Sequence, residues 1–142
     1  MTKHGWIILA AVLVIGADDT KKDIERLEGS WKFISVEASG MKLPEDQFKD
    51  SRLVLKGNHF TATMAGNTSK GTYQVDATKK PKTLDITFTE GAEKGTSMQG
   101  IYEVEGDVYK VCFNLSGKGR PTEFSSKPDS GNVLEILRRE KK

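Results

Sequence analysis

The hydrophobic rhythm of the chain changes twice. An unbroken apolar run, Trp6 to Ile15, follows a short basic start at Lys3 and His4 and ends at the small residues Gly16 and Ala17. The stretch "DDTKKDIERLEGSW" comes next, and in it Ile24 and Leu27 lie three apart, on one helical face, before Gly29 stops the turn. Beyond Gly29 no helical period persists. Apolar and polar residues alternate instead, interrupted by turn chemistry at intervals of about eight to twelve residues, the spacing of an all-β sandwich or barrel.

The alternation predicts eight strands: Ser30–Ala38, Arg52–Lys56, His59–Met64, Ser69–Asp76, Thr83–Thr89, Met98–Glu105, Val108–Leu115 and Val133–Arg139. It is cleanest in the fifth, where Leu84, Ile86 and Phe88 face one way and Thr83, Asp85, Thr87 and Thr89 the other. The polar connector "ATKKPK" precedes this strand, and its Pro81 cannot donate to a ladder. Two-residue links at 57–58, 66–67 and 106–107 can join only antiparallel neighbours, so most of the chain is a meander. Eight twisted strands in a meander leave two edges bare unless the sheet closes on itself. A closed barrel of eight is just wide enough to be filled by side chains or to hold one small ligand. The pattern therefore predicts an all-β, eight-stranded antiparallel up-and-down barrel with a short N-terminal helix.

The apolar run is too short to cross a bilayer, which takes ~20 residues. A basic start, a short apolar centre and a small-residue end make residues 1–17 an expected export signal, leaving 18–142 as the barrel domain. The alternative is an uncleaved anchor, and membrane contact is expected only through such a leader. The destination is then secreted or periplasmic, in the cell envelope. The formal net charge is +2, and loss of residues 1–17 removes Lys3 and leaves +1. So balanced a chain lacks the basic face that nucleic-acid binding requires. Its single cysteine rules out an intramolecular disulfide, and stability must come from the core.

That cysteine, Cys112, could be a nucleophile, a metal ligand or a small wall residue. A reactive thiol needs a nearby base or a helix N-terminus. Beyond the leader the sole histidine is His59. Both residues are predicted to point outward, on strands that stand opposite each other in a closed sheet, so they cannot pair. The expected role of Cys112 is a small wall residue, under the N-terminal helix. One histidine and one cysteine also fall short of a zinc ligand set, and no cofactor is implied. Glu103 and Glu105 share a strand face about 7 Å apart, near a glycosidase-like separation. Beside a hairpin turn they read better as a solvated rim. No nucleophile elbow, phosphate loop or dinucleotide fingerprint occurs, and catalytic residues are expected to be none.

Two binding features remain. Phe60, Tyr73, Phe88, Tyr102 and Phe113 each lie on the apolar side of a different strand, so closure brings them together as a filled core or as the lining of a narrow pocket. In "GKGRPTEF", Gly117, Gly119 and Pro121 bracket Arg120. It either ties a loop across a barrel end or recognises an acidic head group at a pocket mouth.

"EGSWKF" places Gly29-x-Trp31 at the first strand, just after a helix, and the last strand ends in Arg138-Arg139. This resembles the lipocalin, or calycin, group of barrels, in which a tryptophan plugs the closed end and an arginine packs over it. The resemblance implies a plug made by Trp31, covered by Arg138 or Arg139; Arg138 shares a strand face with Leu134 and Ile136. More specifically, "LEGSWKFISVEASG", "KGTYQVD", "KKPKTLDI", "GIYEVEGDVYKVCF", "GRPTEF" and "LRRE" together resemble an uncharacterised family of small lipocalin-like domains found in planctomycete genomes. That likeness spans nearly the whole chain after the leader. It implies a bacterial, exported, lipocalin-like domain and transfers no catalytic residue. The leading expectation is non-covalent binding of a small apolar or amphipathic molecule. The second is a protein-interaction or structural module of the cell envelope, with a filled barrel and a protein partner.

Overall fold

The computed structural model of the protein describes residues 19–141. The predicted leader, residues 1–17, lies outside them. Residues 19–27 are helical. The strands that follow are β1 (Gly29–Ala38), β2 (Met41–Lys42), β3 (Arg52–Lys56), β4 (His59–Met64), β5 (Asn67–Asp76), β6 (Lys82–Glu90), β7 (Ser97–Glu105), β8 (Val108–Asn114) and β9 (Asn132–Arg139). Each predicted strand is present with its ends within two residues of the expected ones. β2 was not foreseen; its two residues pair only with the far end of β1.

From β3 to β9 every strand pairs antiparallel with the next, and β1 pairs with β3 on one side and β9 on the other. The β1–β9 ladder runs from Trp31 opposite Arg139 to Ala38 opposite Val133 and closes an eight-stranded barrel. Closure leaves no long edge in the wall, which removes the aggregation hazard of an open meander. A bulge between Phe33 and Ser35 bends β1 along this seam.

The inward face holds the core: Trp31, Phe33, Leu55, Phe60, Tyr73, Leu84, Phe88, Tyr102, Tyr109, Val111 and Leu137 are all buried. The segment between β2 and β3 adds Phe48 to it. Two glycines make room for rings on neighbouring strands. Gly71 stands opposite Phe60, and a Cβ there would meet the phenyl ring at 2.6 Å. Gly100 stands opposite Phe113, whose ring would lie 2.7 Å from an added Cβ. The interior is built of large rings laid over bare backbone.

The turns 57–58, 106–107 and the connector 77–81 gather at one end of the barrel, with the helix. The links 65–66 and 91–96 lie at the other. The ends differ in what covers them, and that difference positions the site.

Candidate functional site: an apolar cavity with an inward-facing acid

The helix end is sealed. Trp31 is fully buried and its Nε1 donates to Leu27 O at 2.8 Å. The guanidinium of Arg139 stacks over the indole, 4.4 Å from the ring centroid. It also donates to the carbonyls of Glu28 and Arg26. One cation thus satisfies helix-end carbonyls that have no intrahelical partner. Gly29 has a φ of 123°, and a side chain there would meet the Arg139 guanidinium at 3.1 Å. The Gly-x-Trp pattern therefore has a local cause: a left-handed bend, and space for the arginine that covers the plug.

The same end holds a buried acid from the helix. Asp23 is fully buried and accepts hydrogen bonds from Tyr102 Oη, Lys82 Nζ and Arg26 Nη1, each at 2.8 Å. Burial alone would raise its carboxyl, but the bonds from Lys82, Tyr102 and Arg26 outweigh that and hold it below the usual range. The helix face that packs down is therefore Asp23 and Leu27, one turn apart, while Ile24 is only half-buried. The predicted Ile24–Leu27 face is corrected by about one residue, because the polar anchor lies on the buried side.

Above this plug the interior is open. A cavity of about 470 Å³ runs from Phe33, Leu55 and Tyr109 up to a mouth near Met64, Asn67 and Glu93. Most of its lining is aliphatic or aromatic. Among the described residues three polar groups lie deep in it. The Tyr73 hydroxyl is buried and has no hydrogen-bond partner among the described residues. Tyr109 is buried and its phenol is pushed up by burial, then by the nearby Glu135 and Tyr73. The third is Glu135, half-way along β9, between Val36 of β1 and Val111 of β8. Burial pushes its carboxyl up to about 7. Its inward direction follows from the register: Leu137 and Arg139 on the same face reach the core and the plug, so Val133 and Glu135 face the cavity.

The predicted lining residues separate into two groups. Phe60, Tyr73, Phe88 and Phe113 do meet around the cavity. Phe60 and Phe88 make an edge-to-face pair with centroids 5.3 Å apart. Tyr102 points inward but lies below the cavity, sealed under the helix by its bond to Asp23. Arg120 is on the outer wall, not at the mouth. Its Nη1 donates to Gly100 O at 2.8 Å and Leu84 O at 3.1 Å, and its Nη2 pairs with Asp85 at 2.8 Å. These bonds tie the β8–β9 connection across the side of the barrel, and they occupy the guanidinium.

That strap also explains Cys112. The residue is fully buried on the outer face of β8, and its Sγ lies 3.5 Å from Ser125 O in the same connection. It is a wall residue, as expected, but beneath the long loop and not beneath the helix. Burial pushes the thiol up. His59 is exposed on β4. Glu103 is exposed and paired with Lys110 at 3.4 Å, a solvated rim. Among the described residues no group of three or more His, Cys, Asp or Glu is placed to hold a metal ion.

Arg138 does not cover the tryptophan. It is exposed, whereas Arg139 stands opposite Trp31 in the ladder and stacks on it. The parity of β9 is ambiguous in the sequence because both faces carry aliphatics: Val133 and Leu137 on one, Leu134 and Ile136 on the other. Counting Leu134 and Ile136 as the inward face puts Arg138 with them and turns Glu135 outward, whereas the ladder places Arg139 opposite Trp31. Requiring an arginine opposite Trp31 would have fixed the parity and turned the acid inward.

No family model matches the chain, and no curated protein matches it. Among solved structures it is similar to a DUF4847 family protein from Bacteroides vulgatus, at 14% identity and a TM-score of 0.51. The likeness covers 82% of this chain and 95% of that one. At that identity the likeness concerns the fold: the two chains share a barrel architecture.

Proposed function

We propose that the protein binds a small apolar or amphipathic molecule non-covalently inside the barrel, outside the cytoplasm, and performs no catalysis on it. The observation that carries this reading is the cavity of about 470 Å³, lined mainly by aliphatic and aromatic side chains and reached from one end. Ligand sites fall in a range of about 300–1,000 Å³ and combine an apolar lining with a few oriented polar groups. A barrel serving only as a structural module would gain stability by filling such a space, since each lost contact weakens the core. The export leader expected from the sequence and its lipocalin-like resemblance agree with this reading and with a place in a bacterial envelope or secreted compartment.

The test is native mass spectrometry of the exported protein, with uptake of a neutral apolar fluorophore as a second readout. The expected result is a co-purifying or added small molecule that Ala62→Trp displaces, because Ala62 lines the cavity. An empty spectrum with no uptake by the wild type would overturn the reading in favour of an envelope interaction module that works through its outer surface.

A further inference from the structure

The charged residues that line the cavity have one sign. Glu135 lies in its depth and Glu93 near its mouth, and among the described residues no Lys, Arg or His contributes to the lining. Every element facing Glu135 has the same character. β8 presents Tyr109 with Val111 and Phe113; β1 presents Phe33 and Val36. Across the barrel β5 contributes Tyr73, and the β6–β7 link contributes Glu93. The nearest cation on its own strand face is Arg139, committed to Trp31 and the helix carbonyls. The thiol of Cys112, on the far side of the β8 wall, is held by the Ser125 carbonyl. Glu135 makes no hydrogen bond or ion pair with any described residue.

An unpaired carboxyl in an apolar interior costs stability. The fold already shows how it treats an acid that serves structure: Asp23 has three donors around it. Glu135 has none. Across the barrel, Tyr73 is 4% exposed and its hydroxyl also lacks a partner among the described residues. These vacant acceptors share one cavity, and an ammonium group supplies three N–H donors and a positive charge.

We propose that the cavity selects an amphiphile bearing a protonated primary amine, with the ammonium seated against Glu135 and the Tyr73 and Tyr109 phenols as its other polar partners. The proposal rests on the cavity-binding reading and names its ligand class. With about 30 Å³ per small group, the space accommodates roughly fifteen heavy atoms, a medium-length alkyl or aryl amine. A fatty acid of the same length would place its carboxylate beside another acid with no cation to meet it.

The experiment compares decylamine, decanol and decanoate by calorimetry on wild type and Glu135→Gln. Decylamine is expected to bind best, decanol more weakly and decanoate weakest. In Glu135→Gln, decylamine affinity should fall about 10- to 100-fold, the loss of a charge-assisted bond, while decanol affinity stays within about threefold and shows the cavity intact. Between about pH 5.5 and pH 8 the wild type should gain about thirtyfold in decylamine affinity as Glu135 ionises, and the variant should not change. If decanol or decanoate binds as tightly as decylamine, or the variant keeps its amine affinity, the amine selection is overturned while the cavity reading stands. If none of the three binds wild type, both fall.

Discussion

Glu135 couples the interior of the barrel to pH even without a ligand. In the folded protein it keeps its proton up to about 7, whereas the ordinary value is 4.5. Between those two values the folded state binds more protons than the unfolded one, so stability falls as pH rises through the window. The penalty for ionising this group inside the fold is absent below the ordinary value and reaches about 3 kcal/mol once pH has climbed through the folded one. Asp23 works the other way, in a lower window: its carboxyl is held below 3.8, and its contribution is lost only as pH falls through its folded value. Urea unfolding at about pH 5 and pH 8 separates them. Wild type should be less stable at the higher pH, and Glu135→Gln should show little difference between the two. A wild-type profile as flat as that of the variant would show that the acid does not face an apolar cavity as described.

At the scale of elements, the helix is a lid fastened by two charged groups, not a packed stripe. Asp23→Asn weakens three bonds, two of them from the cations Lys82 and Arg26, which still reach solvent, and one from the buried Tyr102, which points to roughly 1.5–3 kcal/mol. Arg139→Ala removes the indole stack and two carbonyl bonds and should cost roughly 2–4 kcal/mol. In both variants amide exchange should quicken in residues 19–27 before it does in the strands, since the β1–β9 seam is made by backbone pairing. Uniform quickening through the barrel would mean that the helix is part of the cooperative core. The strands were legible in the sequence because Gly-Asn and Gly-Asp turns fix their ends and alternation fixes their faces. β9 was the exception: with aliphatics on both faces, only its partner across the seam determines which is inward. The polar anchor of the helix was hidden for a related reason, because Asp23 in a charged stretch looks solvated until Tyr102 and Lys82 are brought to it from β7 and β6.

For the whole molecule, the sequence pattern carried the closed barrel but not the division of its interior. Five aromatic positions were expected to converge; four surround a cavity, while Tyr102 belongs to a sealed floor. That partition depends on how far along the barrel axis each ring lies, a quantity set by strand stagger and not by alternation. Arg120 illustrates the same limit: a long loop can return over an end or along the wall, and only the carbonyls it finds decide which. The resulting molecule has one end closed by the helix, Trp31 and Arg139, an outer strap over Cys112, and an apolar chamber with an acid half-way down. Methyl NMR during titration with decanol tests this arrangement most directly. The account predicts shifts at the cavity-lining Leu55, Leu84, Ile86, Val111 and Met98, with the outward-facing Val54 and Ile136 unmoved. Shifts confined to the outer methyls, or none at saturating decanol, would contradict it.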